Sequence, residues 1–289
     1  MPALRLIAEE WQLRSRAHAE RADALTAAHR ARRAAGRRHA VEDFLYDYYS
    51  TRPSVLRRWH PGAGTALLPG SDPPPHAGRR WYATDDDGAV RLDVGAFLAD
   101  RGDTVGFIHR LLTATAGRPA FTGCFGLHEW AMVYRQDRHR HELPLRLGQA
   151  GTDAVVEAHP IRCTHYDAFR FFTPDAVGLN RERPTRATQV ELEQPGCLHA
   201  GMDCHKWAGK LGPAVPGDLA LDCFELARDV RLLDMQAAPY DLSSYGQPAV
   251  AVETAAGKAE YVARQRELGA RAAALRARLI DVCAGLLDR

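Results

Sequence analysis

Lysine is almost missing from this chain: of its 38 basic residues only Lys206, Lys210 and Lys258 are lysine, and the rest are arginine. Arginine in such proportion follows from a GC-rich coding bias, so its abundance alone carries no function. Excess charge of one sign is also missing. The net charge of +2 excludes the domain-wide basic footprint of many nucleic-acid-binding domains. No apolar run reaches eighteen residues and the N-terminus has no signal-like pattern. The expectation is a cytoplasmic protein with no membrane association and with reduced thiols. The six cysteines, Cys124, Cys163, Cys197, Cys204, Cys223 and Cys283, form no CxxC and no zinc-ribbon spacing, and most read as small core residues. Phosphate-loop, dinucleotide and nucleophile-elbow signatures are absent too. The pair His128-Glu129 is not a zincin motif, because position 132, where the second histidine would stand, is Met132.

What is present is an ordinary globular composition, 46% hydrophobic and 26% charged, enough to build a core. The pattern predicts a mainly α fold with two small β-hairpins (α+β), a helical domain framed by long N- and C-terminal helices. A single globular domain is expected over 1–289. It comprises a helical arm at 1–60, a Pro/Gly-rich loop and hairpin at 61–93, a functional core at 94–250 and a C-terminal helix at 251–289. The first hairpin is WYAT with AVRL around Asp85, Asp86, Asp87 and Gly88. The second is PLRL with AVVEAHPIRC. Helices are expected at 4–35, in VEDFLYDYYS, in TVGFIHRLLTATAG, in FTGCFGLHEWAMVYRQ, in LALDCFELARDVRLLDM and at 252–287. HYDAFRFFTPDA reads as a short helix ended by Pro174.

The densest chemistry lies in Gln194–Leu211, QPGCLHAGMDCHKWAGKL. On a helix, His199, Asp203, Lys206 and Lys210 follow one another at spacings of 4, 3 and 4 residues and share one stripe. Acid, base and amine together suit proton transfer or nucleophilic chemistry, while a solvated face with an Asp-Lys pair has the same pattern. The stripe is narrow, with Leu198 and Met202 on one side and Cys204, Trp207 and Leu211 on the other, which suits a cavity wall.

Three further segments carry candidates. Glu129 interrupts an otherwise apolar helix, so it must meet a cation such as Arg135 or another arginine, or line a cavity. His165 and Asp167 precede Phe169, Arg170, Phe171 and Phe172, a segment that could hold a flat ring or form core. Asp218, Asp222, Glu225 and Asp229 share a helix face that reads as solvated. Residues 1–38 hold nine arginines against four acids, a basic helix end or a phosphate-contacting arm.

The segments HAVEDFLYDYYSTRPSVLRRWHPGAG, GLHEWAMVYR, CTHYDAFRFFTP, QPGCLHAGMDCHKWAGKL and DCFELARDVRLLDM together resemble a family of actinobacterial proteins labelled 3-methyladenine DNA glycosylase. The similarity runs over nearly the whole chain. It implies excision of alkylated purines from DNA. By analogy with glycoside cleavage, that reaction needs a carboxylate, here Glu129 or Asp167, and an aromatic pocket for a flipped base. Catalytic candidates are Glu129, His128, His165, Asp167, His199, Asp203 and Lys206. Substrate-binding candidates are Trp130, Tyr134, Phe169, Arg170, His205 and Trp207. Arg37, Arg38, Arg57 and Arg58 are the phosphate-contacting candidates. The alternative is a small-molecule enzyme with a buried His/Glu/Asp/Lys pocket that gathers Glu129, His165 and His199, doing elimination, ring-forming or metal-dependent chemistry. No cofactor is expected, and a metal held by histidines and carboxylates stays open. A partner subunit is the third alternative to DNA and a small molecule.

Overall fold

A three-residue strand, β1 (Leu4–Leu6), precedes the N-terminal helix in the computed structural model, which describes residues 4–139 and 141–288. β1 pairs in parallel with β2 (Thr65–Leu67), Leu6 opposite Leu67. Between them lie α1 (Ala8–Ala34), α2 (Phe44–Asp47) and α3 (Pro53–Leu56). The expected hairpin follows as β3 (Tyr82–Thr84) and β4 (Val90–Leu92), Thr84 opposite Val90. β2 pairs antiparallel with β4, so all four strands form one sheet in the order β1-β2-β4-β3.

The remaining elements are helices: α4 (Val94–Ala116), α5 (Leu127–Ala131), α6 (Gly148–Ala158), α7 (Tyr166–Phe169), α8 (Pro174–Val177), α9 (Gln189–Leu192), α10 (Leu198–Leu211), α11 (Gly217–Ala237) and α12 (Ala255–Leu287). The mainly α expectation holds. The second hairpin does not. AVVEA lies in α6, where Thr152, Val155 and Val156 are buried at a helical spacing of three and four. Its β-branched residues mimic a strand, but Thr152 Oγ1 returns its proton to the Gly148 carbonyl at 2.7 Å, a helical back-bond. Of PLRL only Leu145 makes a bridge, to Tyr240.

Two helix ends also differ from expectation. Pro174 begins α8 instead of ending α7. Its fixed φ suits a first helical position, and Thr173 caps the turn by accepting from the Ala176 amide. The helix expected around Glu129 is only five residues long. Phe125 and Gly126 are both left-handed before it (φ 50° and 71°), and a Cβ on Gly126 would come within 3.2 Å of the Ala237 methyl.

Helices α4, α10, α11 and α12 pack against one another and enclose two apolar cores. One core holds Leu198, Met202, Leu226, Val230 and Tyr261; the other holds Ile108, Cys204, Trp207, Leu211 and Leu279. Helix α10 contributes to both and forms the seam between them. The terminal helices grip opposite flanks of α11 through ion pairs. Asp222 accepts from Arg21 of α1 (2.8 Å) and from Arg278 of α12 (3.1 Å), and Asp229 meets Arg271 at 2.7 Å. The acidic face of α11 is thus an arginine-paired surface.

Candidate functional site

At the seam, the α10 stripe turns inward. Asp203 is fully buried. Its Oδ1 accepts from the Tyr49 hydroxyl at 2.7 Å and its Oδ2 accepts from Lys206 Nζ at 3.0 Å. Lys206 donates also to Asp167, at 2.8 Å, and Arg170 stands 3.2 Å from the same carboxylate. Asp203 Oδ2 lies 3.3 Å from His165 Nε2, and Glu193 Oε1 lies 3.3 Å from that nitrogen too.

His165 is 1% exposed, yet neither of its ring nitrogens has a hydrogen-bond partner among the described residues. The ring is close to two carboxylates but not aimed along a hydrogen bond to either. His165, Glu193 and Asp203 each offer one donor atom, all within 4.8 Å of one another. Ligands held at about 2.0–2.1 Å in a tetrahedron stand about 3.3 Å apart; both separations from His165 Nε2 match that spacing, and the two carboxylate oxygens lie within 4.8 Å of each other. Tyr49 holds the outer oxygen of Asp203, while Gln189 (2.6 Å) and Lys206 (3.0 Å) donate to the same Glu193 and Asp203 oxygens that face His165.

The electrostatics of this group are set by burial and by its own charges. Burial works against ionising Asp203, but Lys206 and then His165 hold it well below the usual carboxylate range. Burial first, and the Asp203 charge after it, push Glu193 up, with His165 opposing. His165 is lifted above its ordinary value because Glu193 and Asp203 outweigh burial. Lys206 is also raised, its desolvation overcome by Asp203 and Asp167, and stays an ammonium.

A second buried network adjoins it. His128 Nε2 lies 2.9 Å from Asp234 Oδ1, and Arg231 donates to Asp234 Oδ2 (3.0 Å) and Glu129 Oε1 (2.9 Å). The arginine that satisfies Glu129 is Arg231, not Arg135, which pairs with Glu157 and Asp175. His128, His199 and Asp234 also converge within 4.8 Å. Here, however, both ring nitrogens of His128 have partners, Asp234 and the Cys124 thiol, whereas neither nitrogen of His165 does. The His199 ring sits between the networks, its centroid 4.5 Å from that of His128 and 5.3 Å from that of His165. Burial pushes its pKa down to about 3, so the ring is neutral.

Glu129, His165, Asp167 and His199 line one void of about 10 Å³, with Tyr49 at its wall. All seven catalytic candidates therefore lie in these two networks. The ring-binding candidates do not. Trp130 is fully buried and donates to the Ala237 carbonyl, Tyr134 is 3% exposed with its hydroxyl on Glu157, and both are core. Trp207 is 4% exposed in the other core, and Phe169 packs on Phe172. Arg170, on Asp167 and the Tyr48 hydroxyl, and His205, on Thr51, lie beside the networks, and the Trp207 ring touches them from its core, with Lys206 Nζ 4.5 Å from its centroid. The four arginines form no common stripe. Arg57 is paired with Asp23 and Arg38 with Asp47, Arg37 is exposed, and Arg58 lines a separate cleft.

Glu193, Asp234, Arg231 and Tyr49 complete the site and were not singled out from the sequence. A signal existed for two of them. Arg231 and Asp234 fall among Leu226, Ala227, Val230 and Leu233 on α11, charges in an apolar stripe. No family model, curated protein or solved structure matches this chain.

Proposed function

We propose that this protein is a metal-dependent enzyme acting on a small molecule, with one divalent metal ion held by His165, Glu193 and Asp203. The observation that carries the proposal is the buried His165 ring, without a hydrogen bond at either nitrogen and 3.3 Å from two carboxylates. Three protein ligands leave a coordination position open, and the void lined by His165 gives that position room for one water-sized group. The ion would supply Lewis-acid activation of a bound oxygen. Lys206 would orient Asp203 and carry positive charge beside the reacting group, and the neutral His199 would face it as an acceptor. The N-glycosylase reading implied by the resemblance has less support. Its carboxylates are already engaged, Glu129 by Arg231 and Asp167 by Lys206, and the aromatic candidates Trp130 and Tyr134 belong to the core and frame no pocket for a flipped base.

Metal analysis tests this directly. The purified protein, titrated with Zn²⁺ and with Mn²⁺, is expected to bind about one equivalent, and His165→Ala and the isosteric Asp203→Asn to lose it. Absence of saturable binding of either ion, with no change in the His165 imidazole ¹⁵N shift, overturns the proposal. Release of free 3-methyladenine from methylated duplex DNA by both wild type and Asp203→Asn would favour the glycosylase reading.

A further inference from the structure

On the far side of Lys206 and Tyr49 lies a cleft of about 890 Å³, within the range of about 300–1,000 Å³ of small-molecule sites. Its charged lining is one-sided. Arg52, Arg58, Arg79, Arg80, Lys206 and Lys210 line it, and no aspartate or glutamate does. Arg80 is committed to Asp100 and Lys206 to its two carboxylates. Arg52, Arg58, Arg79 and Lys210 form no ion pair among the described residues. Arginines without an acid occur elsewhere on the chain; what sets these apart is that they share one concavity whose lining has no acid. It is also notable that two of only three lysines point here. Hydroxyls of Ser50 and Tyr82 complete the lining.

We infer that this cleft binds a multiply charged, phosphate-bearing small molecule, with Arg52, Arg58, Arg79 and Lys210 as its anchors. Guanidinium forks match phosphate oxygens, and several unmatched cations in one concavity exceed what a monocarboxylate needs. A free metabolite fits better than a nucleic acid. The neighbouring cleft, which shares Ser50, Thr51 and Arg52, is mixed in charge: Arg30 there is paired with Asp23, and Asp47 joins Arg33 in its lining. Of the three acids that follow in the Tyr82 hairpin, Asp85 is paired with Arg91 and Asp87 with Arg5, which leaves Asp86 to oppose an extended polyanion. The inference goes beyond the metal site and does not depend on it.

Calorimetric titration of the full chain with pyrophosphate and with ADP, at low and at physiological salt, tests the inference. Saturable binding of at least one probe is expected. It should weaken about tenfold for each anchor removed in Arg58→Ala and Arg79→Ala. His165→Ala should bind the same probe as wild type does. These arginines are exposed, and unchanged circular dichroism confirms the fold of each variant. Two results would overturn the inference. One is no saturation by either probe, or saturation that the arginine variants leave unchanged. The other is tighter binding of a 20-base-pair duplex than of pyrophosphate, with a salt slope of several phosphates, which would make the cleft part of a nucleic-acid surface.

Discussion

Asp203 shows how much one buried residue can organise. It receives Tyr49 on one oxygen and Lys206 on the other, and it faces His165. The Tyr49 phenol is held far above its ordinary pKa by burial and by Asp203, so it keeps its proton and donates it to Asp203. Losing that donor in Tyr49→Phe leaves the ligand set intact but less fixed, and metal affinity should fall about tenfold with little change in fold. Arg231 is the opposite case. It is 2% exposed and neutralises both Glu129 and Asp234. Arg231→Met would leave two buried carboxylates with one positive charge fewer. The expected cost is about 3–5 kcal/mol, read as a lower urea midpoint with an unchanged m-value.

Among the elements, α10 does two jobs, and its side chains separate them. Its polar stripe builds the site, while its two apolar edges close two cores. Leu211 is fully buried in the second core, away from the ligands. Leu211→Ala should therefore cost about 2–5 kcal/mol in urea unfolding and leave metal stoichiometry unchanged at low temperature. By contrast Asp222→Ala, between Arg21 and Arg278 but about a third exposed, should cost under about 1 kcal/mol by the same measurement. The long elements were legible because their apolar positions repeat at the helical period over several turns. The α10 stripe and its hydrophobic borders were legible for the same reason. Short elements were not. β1 owes its existence to Thr65–Leu67, far along the chain, and α6 wears β-branched residues on a helical face. The site was half legible. Its α10 and α7 members stand in dense local clusters, whereas Glu193 acquires meaning only once its chain is brought against α10, and Arg231 and Asp234 showed only as charges in the apolar stripe of α11. The aromatic candidates misled because a tryptophan beside Glu129 looks the same in sequence whether it faces a pocket or the core.

For the molecule as a whole, the region around the cleft sets a dependence on pH that is separate from the metal ligands. His60 donates to or accepts from the Tyr82 hydroxyl at 2.8 Å and packs against His76. Burial pushes its pKa down from 6.5 to about 3, with His76, Arg58, Arg79 and His18 adding to the effect. His76 and His18 are lowered too, chiefly by burial. A histidine kept neutral in the fold ionises first in the unfolded chain. Below about pH 6.5 the unfolded state takes up protons that the native state refuses, so stability present above that pH is lost as the solution is acidified toward pH 3. Thermal unfolding between pH 7 and pH 4 should show a falling midpoint. His60→Asn, which removes one of these sites while keeping a hydrogen-bonding side chain, should make the fall shallower even if the midpoint at pH 7 is lower. An identical slope in wild type and variant would mean that His60 does not titrate as its surroundings dictate. Two of the cations that add to the effect of burial on His60, Arg58 and Arg79, are among those assigned to the anion. A bound phosphate would offset their field on His60, so adding pyrophosphate should also flatten the acid slope of the wild-type protein and leave that of Arg58→Ala nearly unmoved.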